Sequence, residues 1–413
     1  MLLPNEATQP HPALRALPES GSFTLAKPYR PAWAEVDLNA IRHNVGHLAR
    51  LVAPAGLMAV VKADGYGHGS VAAAYAALEA GATWLGVALV EEGVELRDAG
   101  IDTPILLLSQ PPVEAARAVV DAGLTPVVCS GKFVDALAKA AADAGVESYP
   151  VHLKVDTGMH RIGCSPSEAL DLAPAVKKHR ELHLQGLLTH FAVADEPENP
   201  YTARQVATFE AVRKELARMG IRPPLVHAAN SAGVLTAPEA RYDLVRCGIS
   251  IYGIAPAAEL DGRLPLKPAL SLKARVSYVR RLQAGERLSY GLRYELDAPS
   301  TVATVPVGYA DGVPRRLGEV GGEVLIGGRR KPIAGSVTMD QLLVDVGSGA
   351  DADAVEVGTE VVLLGRQGQD PGGLGGVSPQ EEISAAEWAE KLGTIPYEVC
   401  CGIGERVPRR YFG

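Results

Sequence analysis

The sequence predicts an α/β protein with a (β/α)8 TIM-type barrel followed by a second, mostly β C-terminal domain. Two observations predict this fold. Short apolar runs alternate with amphipathic segments between residues 57 and 249, which is typical of parallel strands connected by helices. Beyond Gly253 the sequence changes to β-branched runs separated by Gly and Pro, which is typical of a mostly β domain. A chain of 413 residues has room for both.

The barrel prediction rests on eight apolar runs of strand length. The runs are continuous rather than alternating, as in parallel strands that are buried on both faces. Helical patterns such as Lys132–Ala144 and Ala203–Met219 lie between them. An open doubly wound sheet is the alternative, but the sequence lacks the strand–GxGxxG–helix opening of such a sheet. The predicted barrel strands are Leu57–Ala63, Trp84–Leu89, Pro104–Ser109, Pro126–Cys129, Val151–Asp156, Leu182–Phe191, Leu225–Asn230 and Leu244–Ile249.

We expect a flexible N-terminal extension over residues 1–30, the barrel over residues 31–262, and the mostly β domain over residues 263–413. The apolar segment 34–38 is surplus to the barrel strands, and we expect it to pair with the β domain. The Gly- and Pro-rich stretch Gln367–Pro379 is expected to be a surface loop. The predicted elements of the β domain are the strands Ala269–Leu282, Thr301–Val307, Glu323–Ile326, Gln341–Val346 and Thr359–Leu364 and the helix Ser384–Leu392.

Charge and cysteine content exclude several classes of function. The net charge of −8 and the absence of a basic stripe argue against nucleic acid or an anionic membrane as a partner. No apolar run approaches the ~18 residues that a membrane span needs, and the start of the chain lacks the pattern of a signal peptide. The five cysteines are odd in number and contain no C-x-x-C motif, as in a reduced protein. We therefore expect the protein to be cytoplasmic.

Polar residues that do not fit a core gather at the carboxyl ends of the predicted barrel strands. In a (β/α)8 barrel these ends share the face that carries the chemistry, and the loops after the last two strands often bind a phosphate. A serine at a helix start, together with the backbone N–H groups of Gly248 and Ile249, would suit a phosphate monoester. The polar residues are Lys62, Lys154, Arg161, His190, Asn230, Ser231 and Arg246.

Each of these residues has a commoner explanation when it is taken alone. A lysine at a strand end usually extends its amine to water, and a lone histidine is usually a hydrogen-bonded core residue. Convergence on one face favours a site instead. Burial lowers the pKa of a lysine, and such a lysine can form a Schiff base with an aldehyde cofactor. Beside a phosphate site, Lys62 therefore points to pyridoxal 5′-phosphate, whose ring acts as an electron sink.

Several longer motifs identify a family. The segments AVVKADGYGHG, KVDTGMHRIG, THFAVADE, ANSAG, VRCGISIYG, LSYGLRY, GYADG and TMDQ follow one another in the chain. In content and order they resemble the motifs of bacterial alanine racemases, from about Trp33 to Tyr411. The resemblance implies a fold-type III pyridoxal-phosphate enzyme that works as a head-to-tail homodimer. It also implies that the chain interconverts L- and D-alanine and supplies D-alanine for peptidoglycan in the cell wall.

The resemblance also implies roles for single residues. Lys62 corresponds to the Schiff-base lysine and the base toward the D-enantiomer, and Tyr290 to the base toward the L-enantiomer, contributed by the other subunit. Lys154 matches a lysine that is often carbamylated in the family. Arg161, Met339 and Tyr309 match positions that handle substrate. The residues that match cofactor-binding positions are Lys62, Tyr66, Arg161, His190, Asn230, Ser231, Arg246, Gly248, Ile249 and Tyr397.

The chemistry agrees with these roles. Racemisation removes a Cα proton on one face of a planar carbon and returns one on the other, which a lysine and a tyrosine on opposite faces can do. An arginine at the ring nitrogen does not give up its proton, so Arg246 should keep that nitrogen unprotonated. Gly65, Gly67 and Gly69 are expected to let the backbone pass close to the cofactor.

Alternatives from other classes remain open at this stage. A broader-specificity or serine-preferring racemase would need a roomier or more polar pocket, which one sequence cannot size. The family often has cysteine where this chain has Thr338, and that leaves the shape of the pocket open. A non-catalytic pyridoxal-phosphate carrier would lack the β domain, and a decarboxylase favours an acidic partner where this chain has Arg246. A metal site is not expected, because His43 and His47 lack the intervening glutamate and lie off the apolar stripe of their helix, on a solvated face.

Overall fold

The computed structural model describes residues 29–367 and 381–413. Residues 1–28 of the expected extension and residues 368–379 of the expected surface loop lie outside these ranges. Within them, the predicted fold class is confirmed: a nearly closed barrel of parallel strands is followed by a mostly β domain.

The barrel strands lie side by side in chain order, and the first of them, β2, pairs with the last, β9. The β8 and β9 strands approach each other through a hydrogen bond from Asp243 N to Val226 O of 3.0 Å and a bridge between Asn230 and Arg246. Each of the eight predicted runs overlaps one of the strands found in the described ranges. The strands are β2 Gly56–Val60, β3 Trp84–Val87, β4 Ile105–Leu107, β5 Thr125–Val128, β6 Tyr149–Lys154, β7 Leu182–Leu188, β8 Leu225–His227 and β9 Leu244–Cys247.

Helices cover the outside of the barrel, and α1 shows why they form. Asp37 caps its first turn by accepting a hydrogen bond from Ala40 N, and Ile41, Val45 and Leu48 bury one face of the helix. The helices of this region are α1 Leu38–Val52, α2 Lys62–Gly67, α3 Ser70–Glu79, α4 Val90–Asp98, α5 Ala116–Asp121, α6 Gly131–Asp143, α7 Pro166–Lys178, α8 Tyr201–Arg218 and α9 Ser231–Thr236. Short 3-10 helices lie at Val113–Ala115, Pro238–Ala240, Ile249–Tyr252 and Ala258–Leu260.

The β domain has a mixed sheet in the order β16-β15-β18-β10-β1-β20, with β19 beside β18, a sheet β11-β14-β17 and a hairpin β12-β13. The strand ahead of the barrel, β1 (Ala32–Asp37), pairs with β10 and β20 and so belongs to this sheet. The other strands are β10 Leu270–Arg275, β11 Tyr278–Leu282, β12 Arg287–Leu288, β13 Tyr294–Glu295, β14 Ser300–Val305, β15 Glu323–Ile326, β16 Arg329–Pro332, β17 Leu342–Gly347, β18 Glu360–Arg366, β19 Glu382–Ile383 and β20 Arg409–Phe412. The domain also contains α10 Ala350–Asp353, α11 Ala385–Leu392 and α12 Pro396–Cys401, and 3-10 helices at Tyr290–Leu292, Tyr309–Asp311 and Leu317–Val320.

The inside of the barrel has two chemically different walls. Strand register puts one set of residues on a common inward face, since paired residues in a parallel sheet point to the same side. On β2 to β5 this face is apolar, with Met58, Trp84, Leu106 and Val127 in one buried cluster. On β6, β8 and β9 the same face carries His152, Lys154, His227 and Arg246, all buried. The polar wall therefore leads to the carboxyl end of the barrel.

Asn44 connects the barrel to the chain that enters the β domain. Its buried amide donates to Ile251 O (3.1 Å) and Lys267 O (2.9 Å) and accepts from Lys267 N (2.8 Å). Its neighbour His43 contacts Pro265 O at 2.8 Å. His43 and His47 are partly exposed and lie off the buried face of α1, as expected. In the part of the chain that the structure describes, no helix is long and apolar enough to cross a membrane.

We predict that Asn44→Ala lowers the free energy of unfolding by about 3 kcal/mol, because it leaves buried backbone groups without a partner. The exposed Asn39, on the same helix, provides the control substitution Asn39→Ala, which should cost less than about 1 kcal/mol. Urea denaturation at pH 8 measures both. Equal losses in the two variants would contradict this role of Asn44.

Candidate active site

Lys62 begins a left-handed turn rather than ending a strand. Strand β2 ends at Val60, and Ala63, Asp64, Gly65 and Tyr66 have φ of +51°, +50°, +59° and +54°. Non-glycine residues rarely occupy this region, and each costs on the order of 1 kcal/mol there. The turn is held by Ser70 N, which donates to Asp64 Oδ1 at 2.9 Å, and by Gly69 N, which donates to Asp64 O at 2.8 Å. Lys62 is partly exposed, so the burial that we expected from the preceding apolar run is wrong for its side chain.

The glycines of this turn face the end of the chain. A Cβ on Gly67 would overlap the carbonyl oxygen of Cys400, and a Cβ on Gly69 would overlap the hydroxyl of Tyr411. Arg409 Nε donates to Gly67 O at 3.1 Å. Gly67 and Gly69 therefore let α12 and β20 pack against the lysine turn. The expectation that Gly65, Gly67 and Gly69 let the backbone approach a cofactor stays a prediction.

Arg246 lies inside the barrel and is surrounded by acceptors. Its NH1 donates to His227 Nδ1 at 2.9 Å, and its NH2 is shared among Thr189 O (2.7 Å), Ala228 O (2.8 Å) and His190 Nδ1 (3.1 Å). Burial lowers the pKa of Arg246 to about 10, so the guanidinium stays protonated at neutral pH. Burial and the charge of Arg246 hold the pKa of His190 and His227 well below the ordinary range, so both rings are neutral acceptors.

Cationic side chains converge around His190. Burial lowers the pKa of His190 most, and the charges of Arg246, Lys154, Arg161 and Lys62 lower it further. The same environment lowers the pKa of Lys154 to about 8, mainly through burial and then through Arg246 and Arg161, and Lys154 Nζ donates to Leu108 O at 2.8 Å. The structure therefore brings Lys62, Lys154, Arg161, His190 and Arg246 together at the carboxyl end of the barrel, where an anionic ligand would be favoured.

A second group of predicted residues meets beside Gly248. Gly248 N donates to Ser231 Oγ at 3.0 Å, and a Cβ on Gly248 would overlap the hydroxyl of Tyr66. The rings of Tyr66 and Tyr397 lie 6.0 Å apart, and Ile249 follows Gly248 directly. Burial raises the pKa of both tyrosines, which keeps their hydroxyls protonated. Asn230 differs from the others, because its side chain caps α9 by accepting from Gly233 N at 2.9 Å.

Tyr290, Tyr309 and Met339 are held by contacts within the β domain and are exposed. Ser289 Oγ donates to Ser336 O at 2.6 Å, and Tyr309 N donates to Thr338 O at 2.9 Å. The exposed fractions are 72% for Tyr290, 53% for Met339 and 41% for Tyr309. We call these three residues and the exposed Leu292 the tyrosine face.

Sequence reasoning missed the buried polar residues behind Arg246. His227 and His152 occur in the segments that carried the other motifs, but neither was singled out. The sequence did contain a signal for His152. It lies two residues before Lys154 in a predicted strand, and alternate residues of a strand point to the same face. Nowhere in residues 29–367 and 381–413 do three His, Cys, Asp or Glu side chains come together so that they could hold a metal ion.

Comparison with known proteins agrees with this arrangement. The family model for the alanine racemase N-terminal domain matches residues 36–256, and the model for the alanine racemase C-terminal domain matches residues 269–411. The chain belongs to the alanine racemase family. The resemblance stated from the sequence motifs is therefore confirmed.

Alanine racemases from several bacteria match over nearly their whole length. The one from Symbiobacterium thermophilum is 50% identical over 384 residues, which are 93% of this chain and 98% of that protein. The crystal structure from Bacillus anthracis with bound L-Ala-P is 39% identical, with a TM-score of 0.84, and covers 94% of this chain and 96% of its own. The alanine racemase from Bartonella henselae with covalently bound pyridoxal phosphate is 30% identical, with a TM-score of 0.79, over 92% of this chain and 99% of its own.

We predict that this alanine racemase family member loses stability as the pH falls from 8 to 5. The pKa values of His68 and His152 are lowered from 6.5 to about 4 by burial, so the unfolded chain binds more protons than the folded chain in this range. The stability is complete above about pH 7 and decreases below pH 6.5, by about 2 kcal/mol at pH 5 for each of the two histidines. Urea denaturation at several pH values measures the slope, and a free energy of unfolding that stays constant from pH 8 to 5 would contradict it.

Proposed function

We propose that this chain interconverts L- and D-alanine with pyridoxal 5′-phosphate as cofactor. The observation that carries the proposal is the position of Lys62 just beyond the carboxyl end of β2, whose neighbouring strand β9 carries the protonated and hydrogen-bonded Arg246. The relative from Bartonella henselae carries covalently bound pyridoxal phosphate, which supports the choice of cofactor.

The residues around Gly248 fit the phosphate end of such a cofactor. The hydroxyl of Tyr66 lies where a Cβ on Gly248 would be, so the glycine brings this hydroxyl, Ser231 and the nearby backbone N–H groups close together. Tyr66, Ser231 and Tyr397 would supply hydroxyls, and Gly248 and Ile249 would supply backbone N–H groups. Asn230 caps the helix that begins with Ser231 and so holds this serine in place.

When bound, pyridoxal phosphate supplies an electron sink that makes the Cα proton of an amino acid acidic. Arg246 would serve the ring nitrogen, because its NH1 and NH2 have acceptors in the protein whereas no hydrogen bond is formed by Nε to the described residues. An arginine donates but does not release its proton, so it keeps a facing nitrogen in the acceptor form. His190, neutral and bonded to Arg246, would pack against the ring.

Lys62 and Tyr290 would act as the two bases. Proton removal on one face of Cα and return on the other needs one group on each side. Lys62 would hold the cofactor aldehyde and take or return the proton on the D side, and Tyr290 would do so on the L side. The exposure of Tyr290 supports its contribution to the site of a second subunit. We therefore propose a head-to-tail homodimer in which the tyrosine face of each subunit, with Tyr309 and Met339, covers the barrel end of its partner.

Lys154 would be carbamylated. A pKa of about 8 leaves much of the amine neutral at pH 8, and a neutral amine reacts with carbon dioxide. The resulting carbamate would turn a cation into an anion beside Arg161 and Arg246, and it would orient Arg161 toward the ring and the substrate carboxylate.

The product D-alanine would serve peptidoglycan synthesis. The described cysteines are free, which supports a reducing, cytoplasmic location. No observation favours serine or a broader range of substrates over alanine, and the family match supports alanine.

Chiral analysis of the products tests the function. The purified enzyme, loaded with pyridoxal phosphate, is incubated separately with L-alanine, L-serine and L-lysine, and the cofactor absorbance is recorded alongside. Fast formation of D-alanine, with the other two slow, is expected. A bound-cofactor spectrum without racemisation of any substrate would contradict the proposed activity and leave a carrier.

We predict that Tyr290→Phe leaves the cofactor bound but lowers kcat for the L-to-D direction by about 100-fold or more, because the general base is lost. Tyr278→Phe, at another exposed tyrosine of the β domain, is the control and should keep kcat within about twofold. Cofactor absorbance and chiral product analysis measure the two properties separately. Undiminished L-to-D turnover would refute the assignment of Tyr290.

We predict that two inactive variants restore activity when they share a dimer. Co-expression of Lys62→Ala and Tyr290→Phe chains should give about one quarter of wild-type activity, because random pairing makes half the dimers mixed and each mixed dimer has one intact site. The separately expressed variants are the controls. If Lys62 and Tyr290 acted within one chain, co-expression would restore nothing.

We predict a carbamate carbon signal after incubation with 13C-labelled bicarbonate at pH 8, because Lys154 has a substantial neutral fraction there. Lys154→Arg is the control, since arginine stays protonated and cannot form the adduct. Carbon-13 NMR detects the adduct. A signal of equal size in the variant would assign it to another amine.

A further inference from the structure

A chain of side-chain hydrogen bonds runs from Arg246 down the inside of the barrel. Arg246 NH1 bonds to His227 Nδ1 at 2.9 Å, His227 Nε2 to His152 Nδ1 at 2.9 Å, and His152 Nε2 to Gln185 Oε1 at 3.2 Å. Arg246, His227 and His152 are buried, and Gln185 is partly exposed. These contacts connect the candidate site to strands β6, β7 and β8, and the proposed function uses none of them beyond Arg246 itself.

Both ends of the chain require the same direction for every bond, since Arg246 can only donate and the Oε1 of Gln185 can only accept. Arginine can only donate, so Nδ1 of His227 carries no proton and Nε2 carries one. The Nε2–H of His227 then donates to Nδ1 of His152, which leaves the proton of His152 on Nε2. That group donates to the amide oxygen of Gln185. Each ring therefore has one tautomer. Gln185 accepts the last hydrogen bond of the chain and so sets the orientation of His152.

The backbone is shaped to bring Gln185 and His152 together. On the β6–β7 pair, Val151 pairs with Leu184 and His152 pairs with Gly186, so Gln185 is the extra residue of a β-bulge. A bulge turns a side chain away from its regular direction, and this one turns Gln185 toward His152. A Cβ on Gly186 would overlap the His152 ring. The sequence Gln185-Gly186 therefore supplies both the partner and the space that His152 needs.

The bonds behind Arg246 matter because the two sides of its guanidinium are held differently. NH2 has the backbone carbonyls of Thr189 and Ala228, which are fixed by the strands and the loops that follow them. Within the described residues, NH1 has only the side chain of His227. If His227 adopted the other tautomer, it would present a donor to a donor, and NH1 would lose its acceptor. The orientation of the guanidinium thus depends on a ring whose tautomer is set by His152.

We propose that His152 is a positioning residue for the reaction: held by Gln185 and by the space at Gly186, it fixes the tautomer of His227 and thereby the orientation of the Arg246 guanidinium. The proposal rests on the proposed function for its catalytic consequence. Its structural part concerns the three residues alone. An intact relay of these hydrogen bonds keeps NH1 and NH2 of Arg246 on protein acceptors, which leaves Nε, without a hydrogen bond to the described residues, for the ring nitrogen of the cofactor.

Two substitutions at one position separate this role from mere packing. His152→Phe keeps an aromatic ring beside Trp84 and Gly186 but has no acceptor. His152→Asn has less volume, but its amide oxygen lies near the position of Nδ1 and can accept from His227. His183→Phe, at an exposed histidine of β7, is the matched control.

The expected result for the enzyme loaded with pyridoxal phosphate is that His152→Phe lowers kcat for alanine about 10- to 100-fold with little change in KM. His152→Asn should recover most of that loss, and His183→Phe should resemble the wild type.

Nitrogen-15 NMR of the same proteins, labelled at histidine, gives a reading that does not depend on turnover. In the wild type, His227 and His152 should each show one protonated nitrogen, Nε2, between pH 6 and 8. In His152→Phe the His227 signals should show mixed tautomers or exchange, and in His152→Asn they should return to the wild-type pattern.

His227 protonated at Nδ1 in the wild type would overturn the proposal. So would equal kcat losses in the Phe and Asn variants, or a His152→Phe enzyme within about twofold of the wild type in kcat. A wild type that shows the expected tautomers but does not racemise alanine would refute the proposed function and leave the relay itself standing.

Discussion

The buried positive charge of Arg246 is the constraint on which the rest of the site depends. An unpaired charge inside a protein is costly, and only a full set of hydrogen bonds makes its burial tolerable. No carboxylate lies among the hydrogen-bond partners of this guanidinium in the described chain; backbone carbonyls and neutral histidines satisfy it instead. The guanidinium is therefore hydrogen-bonded, but none of its partners carries a negative charge that would balance its own. Burial, and after it this charge, lower the pKa of His190 and of Lys154.

The two domains share the work of holding this site. The barrel provides the polar wall. In the β domain, Arg409, Cys400 and Tyr411 pack against the lysine turn. The left-handed turn after Lys62 would be unfavourable by itself, and its bonds to Asp64 and the close packing of the chain's end compensate for that cost. Precision at the lysine thus depends on residues more than 300 positions away in sequence, as the Arg409–Gly67 bond shows.

Sequence patterns predicted the barrel and most of its strands because continuous apolar runs depend only on local composition. They also predicted which charged residues meet, since the carboxyl ends of barrel strands share one face. They failed where contacts between distant parts of the chain determine the structure. The strand β20 and the helix α12 carry no strong periodicity, and Gly67 and Gly69 are explained by Cys400 and Tyr411, far along the chain. The bulge at Gln185 could not be predicted, because it is a matter of register between two strands.

The protonation state of the ring nitrogen that Arg246 would face tests the role of Arg246 most directly. The enzyme is loaded with pyridoxal phosphate labelled with nitrogen-15 in the ring, and its nitrogen-15 chemical shift is measured at pH 7. A fixed, protonated arginine predicts an unprotonated ring nitrogen, with a shift that an Arg246→Glu variant moves toward the protonated value. A ring nitrogen that is already protonated in the wild type would contradict the central role given to Arg246.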